Sequence, residues 1–195
     1  TGNIYKYDPS CTVNTDGNGY CLYESNSSTT QSTFTVDLTT VPDGKYYLSY
    51  NASDKAGNIS VTKTFNFTVD KTAPTGSWVY PVNNSTVSGN VTLNFAATDN
   101  LDPAPGVVYS YSNDGGIIFV TDKISGNTWD TTSLPLGNYI LRATATDNAG
   151  NPVTEDITVG VSAIISNQIV STPYAGEITI TWHTNYPTTS QVIYD

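Results

Sequence analysis

The run VPDGKYYLSYNASDKAGN (Val41 to Asn58) returns later in the chain as LPLGNYILRATATDNAGN (Leu134 to Asn151). Pro42 aligns with Pro135, Gly44 with Gly137, Tyr46 with Tyr139 and Asp54 with Asp147, at a constant offset of 93 residues. A repeat of that length matches one β-sandwich domain, so a 195-residue chain holds two such units and a remainder. Within each copy the residues alternate. Tyr46, Leu48, Tyr50 and Ala52 interleave with Tyr47, Ser49, Asn51 and Ser53, and Tyr139, Leu141, Ala143 and Ala145 do the same in the second copy. Period two with one apolar face predicts a half-buried strand.

The same signal predicts strands through Val91, Leu93, Phe95 and Ala97, and through Phe65, Phe67 and Val69. Turn residues punctuate them: PDG at Pro42, NDGG at Asn113, and AGN twice. No stretch has a helical period. Composition agrees, since only 12% of residues are charged and Thr, Ser, Asn, Gly and Tyr dominate over helix formers. The expected fold is all-β, as tandem Greek-key sandwiches with the last one partial. Gly-x-Tyr after a tight turn lets a ring enter the core while its hydroxyl bonds back to the backbone. Tyr46 and Tyr139 are therefore expected to form tyrosine corners.

A family is visible in the second repeat. VDKTAPTGSWVYPVNNSTVSGNVTLNFAATDN (Val69 to Asn100), followed by GNYILRATATDNAGN, resembles bacterial immunoglobulin-like domains. There a V-D-x-T-A-P linker opens each repeat and A-x-D-x-A-G-N closes the hairpin into the last strand. IVSTPYAGEITITWHTNYPTTSQVIYD (Ile169 to Asp195) resembles the start of a fibronectin type III domain, with Ile178, Ile180 and Trp182 on its buried face. The expected domains are 1–70, lacking its first strands, then 71–161, complete, then 162–195, a beginning only. Residue 1 is Thr and residue 195 falls in the middle of a strand-like run, so the chain reads as part of a longer one. The resemblance implies tandem extracellular modules, with neighbouring repeats as partners and no catalysis by the module itself.

The formal net charge of −10 argues against nucleic acid or an anionic membrane surface as partner. No apolar run approaches the roughly 18 residues of a membrane span. The one histidine, His183, stands at a strand end beside a Pro-containing loop, a supporting position. Glu155 and Asp156 are adjacent and point to opposite faces of a strand, so they cannot converge as an acid/base pair. No catalytic residues are expected.

Two cation readings arise. Asn14, Asp16, Asn18 and Gly19 have the spacing of half an EF-hand loop, but the twelfth position is Ser25, and Glu24 falls one short. A hairpin tip closed by a Cys11–Cys21 disulfide accounts for the stretch better. It would stabilise by roughly 2–3 kcal/mol and imply an oxidising compartment. The second reading is a calcium site at the joint of the first two domains, using Asp70, Asp99, Asp102 and Asp147. The simpler account of these four is that Asp in such loops caps turns by accepting backbone amides. The sequons at Asn26, Asn51, Asn58, Asn66, Asn83, Asn84 and Asn90 are numerous, in a chain rich in Asn, Ser and Thr.

The expected function is a non-catalytic spacer of a secreted or cell-surface protein, such as the stalk of an adhesin. Two other readings remain. One is a carbohydrate- or protein-binding adhesion module using Trp78 or Trp129, although one Trp per sandwich is more often core. The other is an accessory domain beside a secreted hydrolase.

Overall fold

Short alternating runs broken by Gly, Pro and Asp turns become strands, and the chain forms no helix among the described residues. The computed structural model describes residues 2–7, 20–26, 38–54, 56–171, 178–189 and 191, with 2–7 and 20–26 as backbone. The chain divides into two compact units, Thr1–Thr72 and Ala73–Asp195.

The first unit contains β1 (Gly2–Tyr7), β2 (Tyr20–Asn26), β3 (Gly44–Tyr50) and β4 (Lys63–Val69) in one antiparallel sheet, ordered β2-β1-β3-β4. β1 and β2 pair with Lys6 opposite Cys21. Cys11 and the half-EF-hand positions Asn14, Asp16, Asn18 and Gly19 lie outside the described residues, as does the side chain of Cys21. The core gathers at one end of the sheet, where Val41, Tyr46 and Val69 are buried against Leu38, Leu48 and Phe67. This corrects one expectation. Phe65 is 63% exposed, although it shares the face of Phe67 and stacks on it. β4 is the sheet edge, and among the described residues no second layer covers its far end.

The second unit is a sandwich. Its strands are β5 (Thr75–Tyr80), β6 (Thr86–Val87), β7 (Asn90–Thr92), β8 (Asn94–Thr98), β9 (Gly106–Ser112), β10 (Ile124–Ser125), β11 (Thr128–Asp130), β12 (Gly137–Thr146) and β13 (Pro152–Val161). One layer is the sheet β6-β13-β12-β9. The other is formed by β5-β8 and β10-β11-β7. Trp129, Leu93, Leu141 and Val159 fill the space between them at 0–1% exposure. Trp129 meets Tyr139 edge-on and tilts against Tyr111, an arrangement aromatic quadrupoles favour.

The apolar run through Val91, Leu93, Phe95 and Ala97 keeps its alternation but is two strands. At Leu93 the backbone N–H turns away to the Asn127 carbonyl, so β7 pairs with β11 and β8 pairs with β5. The segment IIFV (Ile117 to Val120) follows the NDGG turn. Apart from a single bridge between Val120 and Tyr111, it forms no strand. Asp114 draws the amides of Ile117 and Ile118 onto its carboxylate and curls the segment into a loop.

A hairpin of β14 (Ile165–Ser171) and β15 (Thr179–Thr184) follows. Here the expected buried face is corrected as well. Ile178 and Ile180 are exposed and Trp182 is half-buried, because among the described residues a two-stranded hairpin has no facing layer.

Candidate cation-binding loops

The D-x-A-G-N motif folds the same way in both units. Asp147 Oδ1 accepts the amides of Ala149 and Asn151, and Oδ2 accepts Asn151 Nδ2 at 2.8 Å. Asp54 Oδ1 accepts Ala56 and Asn58, and Oδ2 accepts Asn58 Nδ2 at 2.7 Å. The glycine takes φ 89° at Gly57 and 95° at Gly150, a region nearly closed to side-chain-bearing residues. Burial alone would raise the Asp147 carboxyl, but the bonds from Asn151, Gly150 and Ala149 outweigh it and hold it below the ordinary value. At Asp54 the Asn58 side chain is the leading cause of the same lowering.

The loop before β9 adds two carboxylates. Asp99 Oδ1 accepts the amides of Leu101 and Asp102. Asp102 accepts Ala104 N on Oδ1 and Asn148 N on Oδ2 at 3.0 Å, which ties this loop to the β12–β13 turn. Asp102 and Asp147 are 5% and 6% exposed, so their oxygens face protein amides more than solvent. In the first unit, Asp70 Oδ1 accepts the amide of Thr72. Each of the four expected ligands thus accepts at least one backbone amide in its own unit. This is the turn-capping chemistry that competes with a cation for the same lone pairs.

The tyrosine hydroxyls point where the Gly-x-Tyr step indicates. Tyr46 donates to the Pro42 carbonyl at 2.7 Å and Tyr139 to the Pro135 carbonyl at 2.8 Å. Trp129 is wholly buried, while Trp78 is half-buried and donates its indole N–H to the Glu155 carbonyl. Asp156 forms a bidentate pair with Arg142, whose guanidinium lies 3.7 Å over the Phe119 ring. His183 is exposed on β15.

Sequence reasoning assigned no loop-holding role to three residues that organise loops. Asp114 caps the 113–118 turn, and its carboxyl is lowered first by the Ser112 hydroxyl. The Asp-Gly pair was the available signal. Asp43, inside the PDG turn signal, holds the segment that follows β4, and Asn185, which no local pattern marks, holds the segment that follows β13.

No curated protein matches the chain in sequence. Among solved structures, an endo-β-1,4-mannanase from Thermotoga petrophila aligns at 15% identity and TM-score 0.36, over 48% of this chain and 20% of that one. Human CDH23 EC21-23 aligns at 18% identity and TM-score 0.29, over 72% of this chain and 58% of that one. The protocadherin GammaB4 extracellular domain aligns at 15% identity and TM-score 0.27, over 94% of this chain and 32% of that one. The chain thus spans from a fifth to under two thirds of the length of these proteins. Residues 9–71 match the family model of a bacterial Ig-like domain, which fits the all-β, immunoglobulin-like fold of the chain.

Proposed function

We propose that the chain is a series of immunoglobulin-like modules acting as a non-catalytic spacer of a secreted or cell-surface protein, such as the stalk of an adhesin or surface-layer-type protein. One observation carries this reading. The residues repeated at the 93-residue offset are engaged in holding shape. Tyr46 and Tyr139 lock corners, and Asp54 and Asp147 cap the same turn. In this reading the modules are 1–70, 71–161 and 162–195, the last beginning a fibronectin type III-like domain. Their partners are neighbouring repeats, and a Cys11–Cys21 disulfide closes the first hairpin in an oxidising compartment.

Saturable binding of the whole chain to a panel of cell-surface glycans would replace the spacer reading with an adhesion module. Absence of binding across the panel is the outcome the spacer reading expects. Calcium at Asp70, Asp99, Asp102 and Asp147 stands as a separate proposal. Calorimetric unfolding with calcium and with chelator tests it, and an identical midpoint in both would overturn it.

A further inference from the structure

The segments that follow β4 and β13 are each fastened to the loop that precedes the tyrosine corner, but by different groups. In the first unit the fastening is internal. Lys71 Nζ donates to the carbonyls of Thr39 and Val41 at 2.8 and 2.6 Å, and Lys71 N donates to Asp43 Oδ1 at 3.0 Å. Thr72 Oγ1 donates to the other oxygen of Asp43.

Carried forward by 93 residues, these positions become Thr132, Leu134, Leu136 and Ile164. The Leu136 side chain has no oxygen to accept the Ile164 amide, and the Ile164 side chain has no ammonium to reach Thr132. Yet both backbone groups are bonded. Asn185 Oδ1 accepts Ile164 N at 2.7 Å, and Asn185 Nδ2 donates to the Thr132 carbonyl at 3.1 Å. Asn185 N also donates to the Ile164 carbonyl at 3.3 Å. One primary amide thus supplies the acceptor that Asp43 supplies and the donor that Lys71 supplies.

We propose that Asn185 is the joint lock of the second unit. It fixes the direction of the β14–β15 hairpin on the sandwich by bridging the linker to the loop ahead of Tyr139. Asn185 lies just beyond β15, whereas Lys71 lies within the segment it fastens, just after β4. Ser162 fastens the start of the second linker to Val87 of the sandwich, but its Ile164 end is fastened by a residue of the following hairpin, whereas the first linker is fastened wholly by its own module. The second lock is also neutral, so added salt should leave it in place.

The test is solution NMR of the whole chain. Residual dipolar couplings of amides in β9, β12 and β13 and of amides in β14 and β15 should fit one alignment tensor in the native protein. In Asn185→Ala they should require two, and the Ile164 amide should exchange roughly ten-fold faster, as expected for one lost hydrogen bond. Thr181→Ala, an exposed change in the same hairpin, should leave both readouts as in the native protein. Two tensors in the native protein would overturn the proposal. So would a single tensor with unchanged Ile164 exchange in Asn185→Ala.

Discussion

The Tyr139 hydroxyl donates to the Pro135 carbonyl four residues back, at 2.8 Å, while its ring packs against Trp129 in the centre of the sandwich. One side chain therefore ties the turn before β12 to the core. Tyr139→Phe keeps the ring and removes the donor, leaving a part-buried carbonyl without it. The expected loss is about 1–2 kcal/mol, read as a lower urea midpoint with an unchanged slope. Tyr46→Phe should act the same way in the first unit, through Pro42.

Gly76 sits on β5 opposite Ala97, and a methyl group there would fall on the Phe95 ring and lie 2.8 Å from the Ala96 carbonyl. Backbone cannot yield cheaply. Gly76→Ala should destabilise the second unit by about 1–3 kcal/mol despite the better strand propensity of Ala. A thermal midpoint at or above the native one would show that Phe95 can move aside.

Asp147 predicts an acid dependence. Its carboxyl is held below the ordinary value of 3.8 by the turn amides, after burial pushes the other way. A depressed carboxyl adds stability that is fully present above the unfolded-state value and is lost as pH falls through the folded one. The urea midpoint of the native protein should therefore drop as pH goes from about 5 to about 2. In Asp147→Asn the drop should be shallower and should start from a lower midpoint, because Asn offers one oxygen where Asp offers two. Equal slopes in the two proteins would remove Asp147 from the account.

Arg142 and Asp156 form a bidentate pair at 2.8 Å on the outer face of the sheet, with both side chains more than a third exposed. Such a pair contributes only about 0.2–1 kcal/mol, and less in high salt. Arg142 also covers Phe119. Arg142→Ala should therefore cost more than Asp156→Ala, and the difference should persist in 1 M salt while the coupling of the double-mutant cycle shrinks.

The repeat, the alternation and the turn dipeptides determined much of this protein by themselves. Period two with β-branched and aromatic residues leaves no competitive helix, and Gly-x-Tyr and D-x-A-G-N carry their own hydrogen-bond partners within five residues. What local sequence expresses is therefore what local chemistry satisfies. Tertiary structure alone decided the rest. Phe65, Ile178 and Ile180 obey the same alternation as Leu141 and Val159, yet they are exposed, because burial needs a facing layer and one strand cannot specify its opposite. The run 91–97 is continuous in pattern, but Leu93 pairs with Asn127 and divides it between two strands with different partners. Asn185 reaches carbonyl and amide groups 53 and 21 residues away, and no spacing rule links them. A hydrogen bond between distant residues becomes visible only when the fold has brought its donor and acceptor together.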